Sequence, residues 1–232
     1  MCTLILAWQV FDGTPIVVGA NRDERLDRPS VPPAVVGTDP TVVAPRDERA
    51  GGTWIGYNEN GVFAAITNRR APVSGERSRG LLVHDALELR SASEAARQLE
   101  RELDRQSYEG FNLVVADATT AMLFEWDGSL SVTPFEPGVH VVVNTGADGA
   151  DEKATRLRDA LWPEPHEGPS EWLDRTAAAL RDHELGTCVH ADGYGTRSSS
   201  LLEIDDACRL RYRFADGPPC ETAYRMHVDG QI

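Results

Sequence analysis

The chain has 232 residues, 41% of them hydrophobic, with 37 acidic against 23 basic side chains and a formal net charge of −14. That is ample apolar material for a packed core, and basic residues interleaved with acids exclude the clustered basic face that nucleic acid needs. No run approaches the ~20 apolar residues of a membrane-spanning helix, and the N-terminus shows no secretory pattern. Residues 3–10 and 15–20 read as two strands joined by a turn at Asp12-Gly13. Residues 26–50, with Pro29, Pro32, Pro33, Pro40 and Pro45, read as an irregular excursion able to wall a pocket. Two strands, 53–57 and 61–67, flank the turn Asn58-Glu59-Asn60-Gly61.

Helical spacing predicts two helices over 80–106, with a break at Ser91–Ser93 and Glu94 beyond it. A hairpin over 111–117 and 121–126 follows, then the apolar run His140–Val143. Residues 151–161 and 170–183 are again helical, and the last strands are 199–204 and 210–214. Runs of strands and of helices, segregated along the chain, argue an α+β fold. Strands apolar on both sides argue sheets covered on both faces. Without a repeat or a linker, residues 1–232 read as a single domain.

The chemistry begins at Met1-Cys2-Thr3. With Met1 removed, Cys2 would carry a thiol and an α-amine whose pKa values lie near ~8.5 and ~8, so nucleophile and base reside in one residue. The bland alternative is a small apolar residue opening a core strand. Polar clusters recur at strand ends: Asn21-Arg22-Asp23-Glu24, Asn68-Arg69-Arg70, Asn144-Thr145-Gly146 and Gly195-Thr196-Arg197-Ser198. Each suits a turn, and together with Cys2 they also suit a site aimed by rigid strands. Cys188 and His190 are two apart, but with only His183 and Asp192 nearby the spacing does not read as a zinc site.

Met1-Cys2-Thr3, Ala20–Glu24, Gly51–Gly56, Tyr108–Leu113 and Tyr194–Ser200 together resemble the NRDE family, also named for transport and Golgi organisation protein 2. That resemblance implies an N-terminal-nucleophile (Ntn) hydrolase-like fold, a four-layer αββα sandwich. Cys2, Asn58–Gly61, Asn68, Asn144 and Arg197 also resemble the choloylglycine and penicillin V acylase group. Carried over, Cys2 is the nucleophile and Asp23 holds its amine. Asn144 and Asn68 donate to the oxyanion, and Arg197 lies near Cys2 as a balancing cation. The acylase pattern has an Arg where this chain has Ala20; Arg22 adjoins Asp23 instead and would point to the opposite side of the strand. Arg22, Asn21 and Trp54 are candidates for substrate binding.

The function so implied is an amidohydrolase acting on a small acylated substrate through a Cys2 acyl-enzyme, with no metal and no cofactor. The alternative is a non-catalytic binding or trafficking module for haem, lipid or acyl-coenzyme A. Widely separated cysteines fit a cytoplasmic setting. Acidic charge with Lys153 as the only lysine fits adaptation to high salt.

Overall fold

In a computed structural model of the protein, residues 2–232 are described. The chain runs β1 (Thr3–Phe11), β2 (Thr14–Arg25), β3 (Ser30–Val36), β4 (Val42–Asp47), β5 (Ile55–Asn58), β6 (Phe63–Asn68), α1 (Arg79–Leu87), α2 (Ala92–Leu103), β7 (Phe111–Ala116), β8 (Ala121–Trp126), β9 (Leu130–Pro134), β10 (Gly138–Val143), β11 (Gly146–Ala147), α3 (Glu152–Ala160), α4 (Pro169–Leu180), β12 (His190–Ala191), β13 (Tyr194–Ile204), β14 (Leu210–Ala215) and β15 (Arg225–Gly230). It divides into two compact units: the residues up to Arg28 with Pro137–Gly230, and Pro29–Glu136 with the last two residues.

The first unit is an antiparallel sheet in the order β11-β10-β1-β2-β13-β14-β15, with β12 paired to β13. Ile5, Ala7, Val17, Val139, Val141 and Leu201 lie on one face and pack with Leu157 of α3 and with Trp172, Leu173 and Leu180 of α4. Trp172 is fully buried and donates its indole N–H to the Leu161 carbonyl at 2.8 Å, which satisfies its one polar atom. A Cβ at Gly19 would run into Thr176 of α4, so this helix approaches β2 as closely as it does only because position 19 has no side chain. On the other face Leu4, Leu6, Val18, Val142 and Leu202 are also buried, which accounts for strands apolar on both sides.

The second unit is a meander, β3-β4-β5-β6-β7-β8-β9. α1 and α2 cover one face through Leu82, Val83, Leu87, Ala95 and Leu99, against Ala64, Phe111, Leu113 and Phe124. The break between the helices falls where expected: the Ser91 side chain accepts from the Glu94 amide at 3.2 Å and starts α2. The amide of buried Asn58 donates to the Leu87 and Leu89 carbonyls at 2.8 and 2.7 Å, closing the end of α1.

One expected feature is corrected. Residues 26–50 are not an irregular excursion, because they form β3 and β4. β3 is the edge strand, where proline costs no ladder bond, and Pro32 and Pro33 fall at the register shift between Val31 and Ala34. The segment 21–24 is likewise not a strand-end cluster but part of β2, paired through Asp23 and Glu24 to β13.

Candidate functional site

Cys2 stands immediately before β1, the strand flanked by β10 and β2. The ladders pair Leu4 with Val142 and Thr3 with Asn21. Carried to the strand ends, the same register sets Cys2 between Asn144 and Arg22. Side chains directly opposite one another share a face, so these three point away from α3 and α4. The Cys2 thiol donates to the Asp23 carbonyl at 3.7 Å.

Asp23 lies one step along β2 and therefore on the helix side. It is 2% exposed, and its Oδ1 accepts from the Thr196 hydroxyl at 2.7 Å. Thr196 also accepts from the Val189 amide at 2.9 Å, so it is fixed from two sides. From the first turn of α3, Lys153 donates its ammonium to the Gly186 carbonyl at 2.8 Å. Asp151 caps that helix by accepting from the Ala154 amide at 2.9 Å, and it also accepts from Thr145 at 2.6 Å. The loop carrying Asn144 is thereby tied to the helix carrying Lys153.

The electrostatics follow from burial. Desolvation pushes the Cys2 thiol above its usual value, the Asp23 charge adds to the rise, and Arg22 opposes it. Burial also raises the Asp23 carboxyl, against the pull of Thr196 and Lys153. Burial lowers the Lys153 ammonium, and the charges of Asp23, Asp151 and Cys2 hold it up in part. Burial thus keeps the thiol protonated and works against the charges of both Asp23 and Lys153, while the opposite charges of those two groups support one another.

The expected residues divide into groups. Cys2, Asp23, Arg22 and Asn144 come together at one end of the first sheet. Arg22 is only 6% exposed and shares a face with Cys2, so its orientation opposite to Asp23 is what turns it toward the thiol. Arg197 is the extra residue in the register shift between Thr196 and Ser198, and its guanidinium pairs with Asp216 at 2.7 Å. Asn21 ties β2 to its surroundings: its amide donates to the Leu180 and Thr187 carbonyls, both at 2.8 Å. Asn68 and Trp54 belong to the second unit, Asn68 exposed at the end of β6 and Trp54 accepting from the Ile66 amide at 2.9 Å.

Lys153 was not singled out from the sequence as a site residue, although its standing as the one lysine in an arginine-rich chain is a signal. The second unit has an open cleft of about 680 Å³, walled by Val36–Pro40, Arg46, His84 and Glu88. The proline-rich segment thus borders a pocket, though as a hairpin.

The family model described as "Transport and Golgi organisation 2" matches residues 1–171. The human "Transport and Golgi organization protein 2 homolog" is 32% identical over 229 residues, covering 82% of each chain. The mouse homologue is 24% identical over 228 residues, with the same coverage. Among solved structures, penicillin V acylase from Agrobacterium tumefaciens superposes with a TM-score of 0.64 at 15% identity, covering 93% of this chain and 83% of that one. An N-acylethanolamine-hydrolyzing acid amidase ortholog from Caenorhabditis elegans gives 0.58 at 15% identity, over 87% and 92% of the two chains. A variant of conjugated bile acid hydrolase from Clostridium perfringens gives 0.54 at 12% identity, over 100% and 98%. At these identities the likeness shows the fold, which is α+β and Ntn-hydrolase-like. By sequence, the chain belongs to the transport and Golgi organisation 2 family.

Proposed function

We propose that the protein is an N-terminal-cysteine amidohydrolase that removes the acyl group from a small N-acyl substrate. The observation carrying this reading is the position of Cys2 at the head of β1, in register with Asn144 and Arg22 and bonded to the backbone of Asp23. Once Met1 is removed, the freed α-amine takes the thiol proton and the thiolate attacks the acyl carbon. Negative charge gathers on the carbonyl oxygen, where the Asn144 amide donates to it. The C–N bond breaks, the amine leaves with the proton, and a thioester remains on Cys2. Water then attacks the thioester, giving the carboxylate and restoring the thiol. Asp23 and Thr196 hold the amine in place, and Arg22 favours the thiolate. The acylase, hydrolase and acid amidase names of the structural neighbours support the substrate class.

The test is mass spectrometry of the Met1-free protein mixed with a panel of N-acyl amides, beside Cys2→Ala. The reading expects amine release and an acyl adduct on Cys2 that the variant lacks. Absence of turnover and adduct, with a ligand bound equally well by Cys2→Ala, would favour the binding module for haem, lipid or acyl-coenzyme A. The feature on that side is the thiol itself, which burial holds in its protonated, less reactive form.

A further inference from the structure

The first unit gathers four soft or borderline donors, three from a short stretch of chain and the fourth 30 residues further on. His183 follows α4, Cys188 and His190 bracket Val189 before β13, and Cys220 lies in the loop after β14. One ligand atom from each lies within 4.8 Å of the other three. The Cys188 and Cys220 sulfurs are 3.3 Å apart, and His190 Nε2 is 3.1 Å from Cys220 Sγ and 3.8 Å from Cys188 Sγ. A tetrahedral zinc ion with bonds of ~2.3 Å to sulfur and ~2.0–2.1 Å to nitrogen requires donor–donor edges of roughly 3.3–3.8 Å. The three edges among Cys188, His190 and Cys220 fall close to that range, and the His183 ligand atom lies within 4.8 Å of each.

The tautomer also fits. His183 Nδ1 donates to the Cys188 carbonyl at 3.0 Å, which leaves Nε2 with the lone pair. A metal-bound histidine is commonly held in this way by a carbonyl on its other ring nitrogen. Two thiolates and two neutral imidazoles suit zinc over magnesium or calcium, and a full set of four protein donors makes a closed, structural site. The sequence could not reveal it, because the fourth donor comes from 30 residues beyond His190.

We propose that His183, Cys188, His190 and Cys220 bind one zinc ion. Binding displaces the two thiol protons, leaving a neutral centre of two thiolates, two imidazoles and a dication. Val189, between two ligands, donates to Thr196, and Thr196 bonds Asp23. The ion therefore clamps the hairpin that holds Asp23, without touching Cys2.

The test uses the full chain, purified under reducing, anaerobic conditions. Elemental analysis should find one zinc per chain. After chelation, titration with cobalt(II) should give the visible bands of a tetrahedral ion and the near-ultraviolet sulfur-to-cobalt transition. Cys220→Ser and His190→Ala should each weaken binding by ~100-fold or more, while Cys208→Ser should bind normally. Far-UV circular dichroism checks that the variants fold. If they do not, the wild-type stoichiometry and cobalt spectrum decide. Substoichiometric zinc with no tetrahedral cobalt spectrum, or a Cys188–Cys220 disulfide in the anaerobic protein, would overturn the proposal.

Discussion

At the scale of single residues, the thiol at position 2 is governed by opposed effects. Burial and the Asp23 charge keep it protonated, and Arg22 works against both. Arg22→Met should therefore raise the Cys2 pKa further and slow its alkylation at a fixed pH near 8, read by peptide mapping after iodoacetamide labelling; an unchanged rate would remove Arg22 from the site. Lys153 bears more strongly on Asp23 than on the attacking atom. Lys153→Met should push the Asp23 carboxyl higher and move the acid limb of any pH–rate profile upward, whereas a merely structural role would lower stability and leave the limb in place. Asn144→Ala should cut kcat by roughly 10²–10³ with little change in KM, as expected for a donor used mainly in the transition state. Cys2 stands out in the sequence because a thiol beside a freed α-amine is a recognisable pair, whereas Asp23 and Asn144 are expected only through the resemblance to the acylase group. Strand alternation puts Arg22 on the face that carries Cys2, while Arg197 falls in a bulge of β13 and pairs with Asp216.

At the scale of elements, β13 links the candidate nucleophile's surroundings to the loops outside them. It pairs with β2 along its length, and Thr196 joins Asp23 to Val189. Thr196→Val keeps the shape and removes the hydroxyl, leaving buried partners unsatisfied, so it should cost about 1–3 kcal/mol in denaturant melts, with Thr196→Ser largely restoring stability. Helices were legible because their apolar residues recur at a local period and their caps are local bonds, as at Ser91 and Asp151. β3 and β4 were not legible, because proline signals irregularity unless one knows that the strand lies at a sheet edge. The extension of β2 through Asn21–Arg25 was hidden for a related reason. Those residues are polar, and their strand geometry comes from pairing with β13, some 170 residues away.

At the scale of the whole molecule, partly and fully buried carboxyls set the acid behaviour in two directions. Against the upward push of burial, His140 and the Val141 amide hold Asp148 below its ordinary value. His84 and Arg77 likewise hold Asp85 low. A carboxyl lowered in the folded state adds stability above its unfolded pKa of ~3.9, and that stability is lost as pH falls through the folded value. Asp23 has the opposite sign. Raised by burial, it costs stability as pH climbs from ~3.9 through its higher folded value. Asp23→Asn keeps an acceptor for Thr196 and removes that cost, so it should raise Tm at neutral pH, by about 2–4 °C for each kcal/mol recovered, while abolishing turnover. The net charge of −14 adds self-repulsion that salt screens. Thermal melts should accordingly shift upward between dilute buffer and molar KCl.

Local features are legible in the order of residues alone: helix periods and caps, hairpin turns, the cysteine at position 2 and the ordered motifs that mark the family. Each of these depends on residues close together in the chain, or on motif order, and needs no coordinates. Which groups meet is set by the folded arrangement. It turned Asn21 onto the Leu180 and Thr187 carbonyls, bound Arg197 to Asp216, set Lys153 beside Asp23, and brought Cys220 to His183, Cys188 and His190. These meetings depend on register, on one bulge and on long-range pairing, and a shift of one residue along a strand would send each of its side chains to the other face.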